Sequence, residues 1–195
     1  MKIDLRRLAE IQIGYQPKGS VEDDPAGTHF LIQSRDCPGD GDIRWDELCR
    51  IVPTRRNPER YTLRDGDVLF LAKGGRRTAA AVRSPRSHTM AVSTFYILRV
   101  SDEEVVLPEY LAWYLNNVAT DYLAAEARQG TTIPFISVQT LAGMPVELPP
   151  TRTQQRVVAM DALLRQEQRL TSKILERRGQ LVTALSKRAI AESEG

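Results

Sequence analysis

Few of the residues that could do chemistry in this chain stand in a catalytic arrangement. Asn57-Pro58-Glu59-Arg60 begins like the Asn-Pro-Pro-aromatic motif of amino-methyltransferases, but it lacks the second proline and the aromatic residue that would stack a flipped base. Lys73-Gly74-Gly75 does not have the spacing of a phosphate-binding loop. Ser87-His88 and Ser93 lack the elbow motif that would activate a serine. The sequence therefore predicts a protein that is not an enzyme.

Residues that could hold a metal are also few. The chain has two cysteines, Cys37 and Cys49, and two histidines, His29 and His88, with no spacing typical of a zinc site. We interpret all four as structural or surface residues, and we find no Asp…Glu-x-Lys arrangement of the kind that holds a nuclease metal. The expectation is therefore no metal and no cofactor, and the sparse cysteines favour the cytoplasm.

Charge is distributed unevenly along the chain. The formal net charge is only +2, but residues 50–88 alone carry +7, and the part from residue 151 onward carries +4. The remainder is consequently acidic. A basic segment in an otherwise acidic domain indicates a face that binds a polyanion, and a solvated basic loop is the alternative that charge alone leaves open. No apolar run approaches the length of a membrane span, and the N-terminus does not resemble a signal peptide, so we expect no membrane association.

Hydrophobic patterning predicts an α+β fold for residues 1–150, with short mixed strands and a few helices. Helices are predicted from residue 108 and over 119–128. The predicted strands are Phe30–Ile32, Ile43–Trp45, Arg50–Val52, Val68–Ala72, Ala79–Val82, Thr94–Val100 and Met144–Leu148. Tyr110, Trp113 and Tyr114 are expected in the core.

A long helix is predicted after Pro149-Pro150, running to about Ala191 with a length of about 54 Å. Thr151 and Gln154 have the spacing of a capping box at its start. The predicted helix carries a coiled-coil-like apolar ladder that is interrupted at Glu167 and Arg177. The ladder consists of Met160, Leu163, Leu170, Ile174, Leu181 and Ala184. Such a helix needs a partner helix, unless it packs on its own domain.

Four short stretches, in this order, resemble the specificity subunits of type I restriction–modification systems over essentially the whole chain. They are Gly66–Phe70, Leu107–Leu111 with Tyr114-Leu115, Gly130–Ile133, and Leu148-Pro149-Pro150 with Gln154. The chain departs from the family at two positions. Thr153 stands where an acidic residue is usual, and Thr151 where a leucine is usual.

The resemblance implies a target recognition domain at residues 1–150, which reads one half of a bipartite DNA site. Residues 151–195 would form the spacer helix, on which a DNA methyltransferase (modification) subunit docks. S-adenosylmethionine would bind that subunit, and a restriction subunit would join where one is present. Family members commonly carry two such domains, so this chain resembles a half-subunit and is expected to act as a homodimer on an interrupted palindrome. A non-catalytic protein-binding scaffold that uses the helix and the basic loop is the alternative.

The charge argument selects the candidate DNA-binding residues, each of which could also be solvated surface. Lys73, Arg76 and Arg77 follow a predicted strand and could enter the major groove. Arg55, Arg56, Arg83 and Arg86 are the candidates for phosphate contacts. The polar loop candidates for base edges are Gln16, Lys18, Gln33, Ser34 and Arg35.

Overall fold

The computed structural model describes residues 1–39, 41–74, 78–127 and 135–193. Within these ranges the chain forms nine β-strands and four α-helices, and the last helix is long. The α+β prediction with a long C-terminal helix is confirmed. The chain divides into two compact units, Met1–Val158 and Ala159–Gly195. The predicted boundary between residues 150 and 151 stays a prediction.

The strands of the first unit form three sheets. A four-stranded antiparallel sheet has the order β2-β8-β5-β6, a three-stranded sheet has the order β4-β3-β7, and β1 pairs with β9. The strands are β1 (Lys2–Asp4), β2 (Ala9–Ile13), β3 (His29–Ile32), β4 (Cys49–Ile51), β5 (Asp67–Leu71), β6 (Ala79–Ala81), β7 (Thr89–Ala91), β8 (Phe95–Val100) and β9 (Pro145–Glu147). The helices are α1 (Pro108–Asn117), α2 (Thr120–Ala127), α3 (Val138–Ala142) and α4 (Thr151–Ser193).

Strand β5 is buried on both faces, which explains its uninterrupted apolar sequence. Successive side chains of a strand point to opposite faces. Val68 and Phe70 join the core cluster that contains α1, whereas Leu69 and Leu71 join a second cluster with residues of the three-stranded sheet. The four-stranded sheet is therefore the middle layer of the first unit.

The turn into β5 is held by a buried ion pair. Gly66 adopts a φ of 82°, which favours glycine. The next residue, Asp67, is 1% exposed and accepts two hydrogen bonds of 2.9 Å from the Arg99 guanidinium on β8. It also accepts a 2.8 Å bond from the main-chain N–H of Arg64. Because both charges are paired and hydrogen-bonded, the turn and the β5–β8 register are fixed together.

The start of α4 is anchored by Gln154, and the predicted capping box is wrong. The Gln154 side chain is fully buried, and its Oε1 accepts a 3.0 Å hydrogen bond from the N–H of Leu107. Its Nε2 donates to the carbonyls of Val105 and Pro149 at 2.9 and 3.0 Å. The Thr151 hydroxyl donates to the carbonyl of Glu104. Both side chains therefore bind the segment before α1 instead of the N–H groups of their own helix.

One further local prediction is wrong, and one strand was missed. Residues 43–45 do not form a strand: Ile43 is buried, Arg44 N–H bonds to the carbonyl of Asp36, and Trp45–Glu47 is a short 3-10 helix. Strand β7 was not predicted, and it pairs in parallel with β3. The core positions of Tyr110 and Tyr114 are confirmed, and Trp113 packs against the same cluster.

The second unit is helical, and its apolar side chains are exposed. Met160, Leu163, Leu170, Ile174 and Leu181, all from the predicted ladder, are between 52% and 71% exposed. Further exposed apolar residues on this helix are Leu164, Leu175, Val182, Leu185 and Ile190. Among the described residues, no helix is long and apolar enough to cross a membrane.

We expect Gln154→Leu to lower the free energy of unfolding by about 2–4 kcal/mol, because it leaves one N–H and two carbonyls without their partner. Urea unfolding followed by circular dichroism measures the change. Gln155→Leu is the matched control, since Gln155 is the exposed neighbour, and it should stay within about 0.5 kcal/mol of wild type. Equal effects of the two substitutions would contradict the anchoring role.

Candidate nucleic-acid interface

A polar cleft of about 520 Å³ lies along β2 and the segments that follow it. We call it the β2 cleft. Its lining residues are Glu10, Ile11, Gln12, Ile13, Gly14, Gln16, Arg55, Arg60, Tyr61, Lys73 and Ser93. Three of the predicted site residues, Gln16, Arg55 and Lys73, are brought together here from distant parts of the sequence.

The exit of β2 places Gln16 in the β2 cleft. A side chain at Gly14 would lie 2.5 Å from the carbonyl oxygens of Ala91 and Val92, so only glycine fits this approach. Two residues later, Gln16 accepts a hydrogen bond from the Ser93 hydroxyl through its Oε1. Its carbonyl accepts a 2.9 Å bond from Arg55 Nε. The amide of Gln16 and the guanidinium of Arg55 are thus positioned as a pair.

The short 3-10 helix Pro58–Tyr61 forms another wall of the cleft. Gln12 Nε2 donates a 2.8 Å hydrogen bond to the carbonyl of Arg60. The Arg60 guanidinium lies 5.1 Å from the centroid of the Tyr61 ring, which is a cation–π distance. Neither Gln12 nor Arg60 was among the predicted site residues, although Arg60 lies in the basic segment beside an aromatic residue.

Positive charge predominates in the β2 cleft. Arg55, Arg60 and Lys73 line it together with one carboxylate, Glu10. Arg56, next to Arg55, is exposed. In the part of the chain that the structure describes, these four basic side chains make no ion pair. Their charge therefore remains available to an anionic ligand.

Two of the predicted phosphate-binding arginines have carboxylate partners instead. Arg83 contacts Glu109, Asp65 and Glu103, and these contacts, Glu109 most of all, raise the pKa of its guanidinium. Arg86 pairs with Asp46 at 3.1 Å, and its guanidinium lies over the Phe30 ring. The +7 charge of residues 50–88 is thus partly neutralised by residues outside that segment. We leave Arg83 and Arg86 out of the candidate interface.

The remaining predicted residues lie elsewhere. Gln33 donates to the Cys49 thiol, Ser34 hydrogen-bonds Thr94, and Arg35 is exposed beside Asp36. Lys18 lines a separate depression with Tyr15 and Thr54. Arg76 and Arg77 lie outside the described residues, as do Gly130–Ile133.

The two histidines, interpreted from the sequence as structural or surface residues, lie close together in the fold. His29, Glu59 and His88 are far apart in sequence, yet their candidate ligand atoms all lie within 4.8 Å of one another. Sequence spacing could not reveal this cluster, because each residue comes from a different segment of the chain.

Solved structures identify the fold. The chain matches the HsdS subunit from Thermoanaerobacter tengcongensis with a TM-score of 0.57 and 22% identity, over 86% of this chain and 37% of that one. It matches the type I restriction–modification system S subunit from M. genitalium with a TM-score of 0.54 and 13% identity, over 82% and 37%. A chain from a study of complex assembly and conformational transition in the type I R-M system gives 0.59 and 21%, over 91% and 43%. The fold is that of type I S subunits.

The S-subunit fold agrees with the resemblance found in the sequence. No protein-family model matches the sequence, and no curated protein matches it either. The chain spans less than half the length of the S subunits it matches. It therefore corresponds in extent to one portion of such a subunit.

Arg83→Met tests whether Arg83 is structural. Burial opposes ionisation of Glu109, but hydrogen bonds and charge from Arg83 outweigh it and hold the pKa of Glu109 below its ordinary value of 4.5. A lowered carboxyl pKa stabilises the fold above that value, and the stabilisation is lost as pH falls through the folded-state pKa. We expect Arg83→Met to cost about 1 kcal/mol at pH 7.

The cost should shrink below about pH 4 as the carboxylates protonate. Urea unfolding of both proteins at neutral and acid pH measures the difference. Arg64→Met is the control, since Arg64 is exposed and its side chain has no ion pair among the described residues. A cost that does not change with pH would contradict the ion-pair explanation.

Proposed function

We propose that this chain is the sequence-specific DNA-recognition subunit of a type I restriction–modification complex, and that it reads one half of a bipartite site. The observation that carries the proposal is the S-subunit fold combined with the basic β2 cleft. The chain would have no catalytic activity of its own. It would direct a methyltransferase subunit, and a restriction subunit where one is present, to the DNA in the cytoplasm.

The β2 cleft offers the chemistry that duplex DNA requires. Arginine and lysine neutralise phosphates, and glutamine and arginine can read adenine and guanine edges through paired hydrogen bonds. Gln16, Arg55, Arg60 and Lys73 supply these groups in one cleft. Arg56 is exposed next to Arg55 and would add a phosphate contact. The assignment of Lys18 to a base edge stays a prediction from the sequence. The assignment of Arg76 and Arg77 to the major groove stays a prediction from the sequence.

Charge reversal in the β2 cleft tests the proposal. We expect Arg55→Glu with Lys73→Glu to weaken binding to the cognate duplex by at least about 100-fold, since it replaces two phosphate or base contacts by repulsion. Arg152→Glu with Arg156→Glu is the matched control, because it makes the same change of charge at exposed positions of α4. Electrophoretic shifts at a fixed salt concentration compare all three proteins.

The same experiment separates the alternative of a protein-binding scaffold. The cognate duplex is identified first, by selection from random sequences or from the methylation motif of the host genome. A recognition subunit prefers it over random duplexes, and that preference is lost in the cleft variant. Wild-type binding that ignores sequence would favour the scaffold. Equal binding by the cleft variant and the control variant would show that DNA does not bind in the β2 cleft.

The second unit supports a homodimer. At 100° per residue, its exposed large apolar side chains from Met160 to Leu185 cover about two fifths of the helix circumference. A two-helix seam needs only the a and d positions of the heptad. Met160, Leu163, Leu170, Ile174, Leu181 and Ala184 would provide that seam. Leu164, Leu175 and Val182 extend the apolar surface on one side and would contact the methyltransferase subunit.

An antiparallel arrangement of the two helices suits the sequence. Glu167 and Arg177 interrupt the ladder on opposite sides of its middle, so antiparallel pairing brings Glu167 of one chain toward Arg177 of the other. Opposite charges on facing helices favour antiparallel over parallel pairing. Two-fold symmetry would then require an interrupted palindrome, with each chain reading one half-site.

Light scattering tests the assembly. We expect a dimer for wild type and a monomer for Leu170→Asp with Ile174→Asp, because the two aspartates would be buried in the seam without partners. Ser172→Asp with Thr183→Asp adds the same charge to the opposite, polar side of the helix and should leave the dimer intact. A wild-type monomer, or a methylation motif without two-fold symmetry, would show that the helix binds a different partner.

A further inference from the structure

Three side chains from separate segments meet beside the three-stranded sheet. His29 is the first residue of β3, His88 immediately precedes β7, and Glu59 belongs to the 3-10 helix Pro58–Tyr61. Their candidate ligand atoms all lie within 4.8 Å of one another. Two imidazoles and one carboxylate form a donor set that suits a divalent transition metal.

Two of the three donor separations fit a metal of zinc size. Glu59 Oε1 lies 3.4 Å from His29 Nε2 and 3.3 Å from His88 Nδ1. Zinc binds nitrogen and carboxylate oxygen at about 2.0–2.2 Å in tetrahedral geometry, so two of its ligands are about 3.4 Å apart. The two observed separations therefore already match the edges of a zinc tetrahedron.

The buried imidazole of His29 is the second observation. Its side chain is 9% exposed, and Nε2 makes no well-aligned hydrogen bond among the described residues although Glu59 Oε1 lies 3.4 Å away. A buried polar atom without a partner is uncommon in native proteins and calls for an explanation, such as an ion. Nδ1 of the same ring lies 2.9 Å from the Thr28 hydroxyl. In the tautomer that donates from Nδ1 to Thr28, Nε2 carries a lone pair that can bind a metal ion.

Outer hydrogen bonds of the kind found around metal ligands are also in place. Metal-binding imidazoles usually donate their other nitrogen to an oxygen, and ligating carboxylates are usually hydrogen-bonded in turn. Thr28 fills the first role for His29, and the Thr62 hydroxyl donates to Glu59 Oε2 at 3.3 Å. The Oε2 atom of Glu59 is thus held by Thr62, while Oε1 lies near the two histidines.

We propose that His29 Nε2, His88 Nδ1 and Glu59 Oε1 bind a divalent transition metal, with zinc as the best match. The ion would join the 3-10 helix Pro58–Tyr61 to β3 and β7. Three protein ligands leave the fourth tetrahedral position open to water. The site does not depend on the proposed DNA-binding function.

Zinc titration of the full-length chain, stripped with a chelator and free of any histidine tag, tests the site. We expect one zinc ion per chain in the presence of excess Mg²⁺, because Mg²⁺ prefers oxygen ligands. Zinc should also raise the Tm, since it binds only the folded arrangement. Cobalt should give the visible bands of a four-coordinate site without a thiolate charge-transfer band, because the three proposed ligands are nitrogen and oxygen atoms.

Substitution of the two exposed ligands provides the decisive comparison. His88→Asn keeps a residue that tolerates the left-handed conformation at this position, where φ is 57°, and Glu59→Gln keeps the shape of the side chain. Each should weaken zinc binding by more than about 10–100-fold, the loss typical of an outer-shell partner. Glu22→Gln, an exposed glutamate outside the cluster, should bind like wild type.

The variants should keep the wild-type circular dichroism and the wild-type Tm in chelator, so that lost binding cannot reflect lost folding. The proposal is overturned if wild type binds no zinc, or if either folded variant binds it as tightly as Glu22→Gln. A thiolate band in the cobalt spectrum would also overturn it.

Discussion

The amide of Gln154 is the interaction on which the C-terminal half of the first unit depends. Its three hydrogen bonds satisfy one main-chain N–H and two carbonyls. These groups belong to two segments that precede helices, one around Leu107 and one around Pro149. Neither segment could be buried without such a partner. The same amide therefore fixes the entry to α1 and the start of α4. Val157 and Val158 pack against the core of the first unit, so this unit extends to Val158 although α4 continues to Ser193.

Helix α1 in turn packs on one face of the four-stranded sheet. That sheet contains the buried β5 and also β2, along which the β2 cleft lies. β5 and β2 both pair with β8, so the Asp67–Arg99 ion pair and the β2–β8 ladder share one strand. Lys73 lies shortly after the end of β5, and Gln16 lies shortly after the end of β2. The loops that carry these two residues therefore start from strands of one sheet.

Local patterns in the sequence predicted most elements, and non-local contacts account for the failures. The apolar runs of β5 and β8, Pro108 before α1, and the long helix after Pro150 are signals contained in single segments, and each was located correctly. β7 has three residues and pairs in parallel with β3, so no hairpin turn marks it in the sequence. Thr151 and Gln154 have the spacing of a cap, yet carbonyls nearly fifty residues away compete successfully for their donors.

The site shows the same division between local and non-local information. Counting charges found the basic segment, but only the fold shows that Arg83 is paired with three carboxylates while Arg55, Arg60 and Lys73 share the β2 cleft. The segment Pro58–Tyr61 belongs to both regions of interest. Glu59 faces the two histidines, whereas the next residue, Arg60, lines the cleft and is bound by Gln12. An ion held by Glu59 would restrict the short helix that presents Arg60, because the two residues are adjacent in the same turn.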